Sequence, residues 1–145
     1  MLEVKFYENV ADELLKFAVI ISKANGKWVF CKHKERETYE VPGGHREPNE
    51  TIFETAKREL YEETGAIQLD IRDVCVYSVT GSNRVNQTGE ETYGMLFFAD
   101  IHSFENELHS EMESVFFFDA LPTEWTYPLI QPLLIKEYLR RSEIM

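Results

Sequence analysis

Glu59, Glu62 and Glu63 are the residues whose types and spacing point most directly to chemistry. On a helix advancing roughly 100° per residue they fall within about 100° of arc, beside the apolar stripe rather than opposite it. Like charges at i,i+4 cost about 0.3 kcal/mol, and the helix macrodipole disfavours negative charge near a C-terminus. A segment selected only for helix stability would avoid this arrangement. Hard divalent cations, which take oxygen ligands, resolve the conflict. The competing reading is a solvated acidic face, with Arg58 pairing to Glu54 and Glu62. Just upstream, Pro42-Gly43-Gly44 lets backbone pass close to a ligand. A glycine-rich loop opening onto a charged helix is a frequent cradle for phosphate or metal.

The elements that must position these groups are legible from periodicity. Residues 50–64 lack Gly and Pro, and Ile52, Phe53, Ala56 and Leu60 recur at helical spacing. Asn49 is the expected N-cap and Gly65 the expected stop. Residues 16–22 form a continuous apolar run, Asn25-Gly26 is a tight-turn signal, and residues 27–33 alternate, which predicts a hairpin. A brief extended piece at 39–41 is stopped by Pro42. Further strands are expected at about 67–79, 91–101 and 114–118, with a polar turn-rich loop over 81–89. Residues 128–140 read as a terminal helix with Leu129, Leu133, Leu134 and Tyr138 inward, starting late or kinked because of Pro132. The expectation is one α+β domain over residues 1–145, a mixed sheet flanked by helices.

Bulk properties narrow the function. A chain of 145 residues with 43% hydrophobic and 28% charged content is ordinary for a globular protein. No apolar run is long enough to span a bilayer, and the start has no secretory pattern, so no membrane partner and a cytoplasmic location are expected. Cys31 and Cys75 have no metal-type spacing and read as reduced buried thiols. The formal charge of −11 argues against a basic track for duplex nucleic acid; Lys32-His33-Lys34 and Arg140-Arg141 are its nearest approaches. An acidic protein still binds a small polyphosphate when divalent cations sit between the two anions.

Residues 44–66 resemble the signature of the Nudix (MutT-like) hydrolases. Gly44, five residues, Glu50, seven residues, then Arg58-Glu59-Leu60-Tyr61-Glu62-Glu63-Thr64-Gly65 match without a gap; only Ala66 departs, being small where a bulky aliphatic is usual. The resemblance implies an α/β/α sandwich and a pyrophosphohydrolase that uses Mg²⁺ or Mn²⁺. It implies that Glu59, Glu62 and Glu63 ligate metal together with the carbonyl of Gly43. Arg58 would hold Glu59 in its ligating rotamer, and Glu50 would brace the loop against the helix or contribute to the metal shell indirectly.

The reaction so implied is hydrolysis of a nucleoside diphosphate linked to another moiety, foremost a nucleoside triphosphate, oxidised forms included, giving monophosphate and pyrophosphate. ADP-ribose, dinucleoside polyphosphates and RNA 5′-pyrophosphate are the alternative substrates, and a non-catalytic nucleotide-sensing domain is the alternative class. A homodimer is compatible with this reading. The family uses either a signature glutamate or a later-loop glutamate as general base. The later candidates are Glu111 first, then Glu113, then Glu90 or Glu91. Trp28, Tyr39, Tyr77 and Tyr93 are available to stack on a base, and His33 or His45 to contact phosphate.

Overall fold

The computed structural model describes residues 2–81, 89–105 and 112–144, with backbone only at 112–114, 143 and 144. The strands are β1 (Glu3–Tyr7), β2 (Leu15–Ala24), β3 (Lys27–His33), β4 (Tyr39–Glu40), β5 (Gly43–His45), β6 (Ala66–Thr80), β7 (Thr92–Phe104) and β8 (Met112–Phe118). The helices are α1 (Ile52–Thr64) and α2 (Gln131–Ile144), with a short 3₁₀ turn at Asp12–Leu14. The strands make one mixed sheet in the order β1-β6-β7-β2-β3-β4. β2 and β7 run parallel, and the other pairings are antiparallel.

The hairpin of β2 and β3 forms where Asn25-Gly26 placed it, with φ of 52° and 78° at the two turn residues. Beyond Lys23 and Ala24 the two strands part. β5 then pairs with β2 through Val19–Gly43 and Ala18–Gly44, and β4 pairs with β3 through Cys31–Glu40. This opening in the sheet admits the Pro42-Gly43-Gly44 loop and brings it against α1.

Each face of the sheet has its own core. Ile52, Ala56 and Leu60 of α1 pack with Ala18, Ile20, Val29, Phe97 and Ile101. Leu134, Ile135 and Tyr138 of α2 pack with Ile21, Phe30, Cys75, Tyr77 and Leu96. Burial of a side chain the size of Leu60 contributes about 1.5–3 kcal/mol, so both helices are held chiefly by these stripes. The result is the expected α+β sandwich.

Several expectations need correction. The N-cap of α1 is Thr51, not Asn49: Thr51 accepts from Glu54 N–H, and Glu54 returns a bond to Thr51 N–H, a capping box. Asn49 instead takes a left-handed φ of 69° in the preceding turn. That box also occupies Glu54, so Arg58 pairs with Glu62 and not with Glu54. Leu134 and Tyr138 of α2 are inward as expected, but Leu133 of α2 and Leu129 ahead of it are exposed, and Ile135 is buried in their place. Pro132 is the second residue of the helix, which therefore starts late without a kink. β1 was not anticipated; its mixed polar and apolar residues form an edge strand on β6. Ala66 is 3% exposed at the start of β6, where a small residue fits the α1 core.

Candidate active site

The site is assembled around Arg58. Its Nε donates to Glu50 Oε2 at 2.6 Å, and Nη2 donates to Glu50 Oε1 at 3.1 Å and to the carbonyl of His45 at 2.9 Å. Nη1 reaches Glu59 Oε2 at 3.1 Å and Glu62 Oε1 at 3.0 Å. One guanidinium thus ties the loop, the bracing carboxylate and two of the three cluster glutamates together, the fixed fork that arginine supplies and lysine does not. Its pKa is raised, first by the hydrogen bonds to Glu50.

Glu50 is the other half of that brace. Besides Arg58 it accepts from Thr55 Oγ1 at 2.9 Å and from the Glu47 amide at 2.9 Å. These donors, Arg58 foremost, lower its pKa to about 2. With so many partners, Glu50 holds the loop-to-helix junction.

The glycine loop meets the carboxylates directly. Gly43 N–H donates to Glu63 Oε1 at 2.8 Å. A Cβ at Gly44 would lie 2.2 Å from Glu59 Oε2, so only glycine leaves Glu59 its place. A Cβ at Gly43 would lie 2.5 Å from the Ala18 carbonyl, across the β2 pairing. Burial raises the pKa of Glu63 well above the usual carboxylate range against the lowering effect of the Gly43 amide, and nearby Glu59, Glu40 and Glu62 push it further. Glu59 is raised as well, by burial first, with Arg58 opposing. These are carboxylates held together at an electrostatic cost, the condition a bound cation relieves.

The donor set is hard oxygen from Glu59, Glu62 and Glu63 beside a glycine loop, which suits Mg²⁺ or Mn²⁺ over softer metals. Among the described residues no three such side chains already converge on one point. Arg58 Nη1 stands between Glu59 and Glu62, and the Gly43 amide takes Glu63.

The remaining candidates separate. Glu111 lies outside the described residues, and Glu113 is described as backbone only. Glu91 is fully engaged: Tyr7, Ser78 and Tyr93 hydroxyls donate to it at 2.8, 2.7 and 2.9 Å, which lowers its pKa. It fastens β1, β6 and β7 rather than waiting for a proton. Glu90 has a partner elsewhere. His33 accepts the Glu35 amide on Nδ1, and His45 packs on Phe17 with ring centroids 4.3 Å apart.

Behind the loop, on the α2 face, lies a mostly apolar cleft of about 240 Å³. Gly43, Gly44 and His45 form its boundary with the carboxylate site, and Phe17, Val19, Tyr77, Tyr127 and Gln131 are among its walls. Of the four aromatics proposed for stacking only Tyr77 lines it. Trp28 lies under Lys23, Tyr39 packs edge-on against Phe116 and Phe118, and Tyr93 serves Glu91. Phe17, Tyr127 and Gln131 gave no sequence signal, because the opening between β2, β5 and α2 exists only in three dimensions.

Comparison with known proteins agrees with this geometry. The NUDIX domain family model matches residues 13–130. The chain is 31% identical over 121 residues to "Putative 8-oxo-dGTP diphosphatase YtkD" of Bacillus subtilis (strain 168), covering 83% of this chain and 72% of that protein. It superposes with a TM-score of 0.77 and 26% identity on a mutant of the Bacillus subtilis pyrophosphohydrolase BsRppH, covering 97% of this chain and 90% of the other. A NUDIX hydrolase from Nitrosomonas europaea shares the fold, with a TM-score of 0.69 and 21% identity over 87% of this chain and 89% of that one. With a bidentate Arg58–Glu50 brace, a glycine loop bound to Glu63 and a match over most of its length, this chain belongs to the Nudix family of hydrolases, which act on diphosphate-linked substrates.

Proposed function

We propose that the protein is a divalent-metal-dependent pyrophosphohydrolase that splits a nucleoside triphosphate into a nucleoside monophosphate and pyrophosphate. The observation that carries this reading is the direct contact of the Pro42-Gly43-Gly44 loop with the cluster carboxylates, through Gly43 N–H to Glu63 and Gly44 against Glu59. The cleft on the other side of that loop gives an apolar moiety a place next to the phosphates. The relative named for 8-oxo-dGTP supports a free nucleotide as substrate.

Glu59, Glu62, Glu63 and the Gly43 carbonyl would hold Mg²⁺ or Mn²⁺. When bound, the ions lower the pKa of the attacking water and neutralise charge on the leaving phosphate. Arg58 keeps Glu59 and Glu62 in place, and Glu50 keeps Arg58 in place. Glu111, just ahead of β8, is our choice for the group that accepts the proton from water. The substrate is a small nucleotide, with no duplex nucleic acid and a cytoplasmic setting.

RNA 5′-pyrophosphate is the second reading, since the solved relative that covers 97% of this chain is named a pyrophosphohydrolase without a free nucleotide. The net charge of −11 opposes a long polyanion. Initial rates on nucleoside triphosphates and on a short 5′-triphosphorylated RNA, at one salt concentration with Mg²⁺ or Mn²⁺, decide between them. The expected result is a higher kcat/KM on a free nucleotide; a clear advantage for the RNA reverses the ranking. Nucleotide binding without cleavage of any substrate would place the chain among sensing domains.

A further inference from the structure

Arg58 is not the only guanidinium built into the signature segment. Arg46 lies in the turn that carries the chain from β5 to α1, with its side chain 18% exposed. Its Nε donates to the Glu50 carbonyl at 2.8 Å, and Nη1 donates to the carbonyls of Asp12 at 2.9 Å and Leu15 at 3.2 Å. Nη2 donates to Asp12 Oδ2 at 2.9 Å. The Arg46 amide adds a bond to the Lys16 carbonyl at 2.8 Å. One side chain thus joins carbonyls of the 3₁₀ turn, the start of β2 and the end of the loop, a task for the planar fork of arginine.

The turn that Arg46 closes is the one that presents Glu50. Glu50 N–H donates to the Glu47 carbonyl at 3.2 Å, and Glu47 N–H donates back to Glu50 Oε1 at 2.9 Å. Both bonds stay within residues 47–50, where Asn49 holds a left-handed φ of 69°. Arg46 links the last carbonyl of this turn to the body of the sheet. From there the contacts continue inward: the Glu50 carboxylate takes Arg58, and Arg58 takes Glu59 and Glu62. The outer end of the series is Asp12, whose side chain is 70% exposed and which stands 34 positions before Arg46.

Resting on the reading of Glu59 and Glu62 as metal ligands of a pyrophosphohydrolase, we infer that Arg46 is a positioning residue for the reaction: anchored on Asp12 and Leu15, it holds the Glu50 backbone where the Glu50 carboxylate can orient Arg58. Among the described residues the Arg46 side chain bonds none of Glu59, Glu62 and Glu63, so its effect on turnover passes through Glu50. A staple that only stabilised the fold would use the same contacts. The two roles part at kcat. Displacing Glu50 misplaces the groups it orients, and a small misplacement at a reacting centre lowers kcat steeply. A merely looser fold lowers the melting temperature and leaves kcat per folded molecule unchanged.

Arg46→Lys keeps the charge and loses the fork. With Mg²⁺ or Mn²⁺ its kcat per folded molecule should fall at least about tenfold while KM stays within about twofold. In a double-mutant cycle with Glu50→Gln the losses should overlap, the double variant turning over within about threefold of Glu50→Gln alone. Fully additive losses, or a native kcat in Arg46→Lys, overturn the assignment. If Arg46→Lys does not fold, Asp12→Asn carries the same test from the other end of the pair. It keeps the Asp12 carbonyl, so kcat should fall by about twofold or more with KM unchanged; an unchanged kcat overturns the assignment. Amide hydrogen exchange in EDTA is the readout that needs no turnover. In the variant that folds, the Glu47 and Glu50 amides should exchange at least about threefold faster than in the native protein, with β2 and β3 at their native rates. Unchanged exchange at Glu47 and Glu50, or equal acceleration throughout the sheet, overturns the anchor. A native protein that cleaves no diphosphate compound fails the hydrolase reading instead, and the exchange comparison then decides by itself whether Arg46 holds Glu50.

Discussion

The amide of Gly43 donates to the partly buried carboxylate of Glu63 at 2.8 Å, joining the residue just before the signature to its last acidic side chain. The bond spans twenty positions of sequence and fixes how far the loop stands from α1. Burial otherwise drives the Glu63 pKa up, and this one donor works the other way.

That balance predicts the behaviour of Glu63→Gln. A carboxyl whose folded pKa lies above its unfolded value contributes stability below the ordinary carboxylate range and loses it as pH rises through the folded value. In EDTA the variant should therefore melt at or above the native temperature at pH 8, and the advantage should shrink toward pH 4.5. The amide oxygen of glutamine can still accept from Gly43. Activity with Mg²⁺ should fall by about 10³-fold or more. A variant that unfolds at ordinary temperature yet keeps its specific activity would make Glu63 structural.

Metal removal is the companion test. EDTA should abolish turnover, and Mg²⁺ or Mn²⁺ should restore it. The ion should also raise the melting temperature, because it binds the native carboxylate cluster and not the unfolded chain. Full turnover in metal-free buffer would sink the proposed ligand set.

Glu50 predicts the acid limb. Its pKa of about 2, set chiefly by Arg58, lies below the unfolded value, so the stability it contributes is present above about pH 4.5 and lost as pH falls toward 2. Glu50→Gln should flatten the stability profile in that window, read by chemical denaturation from pH 5 to 2.5. It should also lower kcat, since Arg58 loses the group that orients it; an unchanged kcat would limit Glu50 to stability.

Two glycines should respond in opposite ways. Gly44→Ala forces a methyl against the Glu59 carboxylate, and should cost about 10²-fold or more in kcat/KM while the fold survives. Gly26→Ala meets no atom within 4 Å but inherits a φ of +78°, and should cost about 1 kcal/mol of stability with activity intact. Thermal denaturation and steady-state kinetics on both variants separate chemistry from backbone strain.

The proton acceptor is tested by Glu111→Gln beside Glu113→Gln. Loss of kcat by about 10²-fold or more in the first alone, with a flattened acid limb of the pH–rate profile, is the expected result. The reverse pattern moves the role to Glu113, and no effect in either returns it to a signature glutamate.

The sequence by itself determined the signature helix, its stop at Gly65, the hairpin at Asn25-Gly26 and the identity of the clustered carboxylates. Each depends on short-range spacing, and a helix or turn imposes its geometry on neighbours in the chain whatever surrounds it. Thr51 displaced Asn49 as the cap because reciprocal bonding with Glu54 satisfies two amides at once. Only the tertiary structure decided that Arg58 spends its fork on Glu50, Glu59, Glu62 and the His45 carbonyl, and that Glu91 is a fastening for three hydroxyls rather than a free base. It alone joined Phe17, Tyr77 and Gln131 around one cleft. Those residues come from β2, β6 and α2, and no local periodicity encodes which sheet face they share.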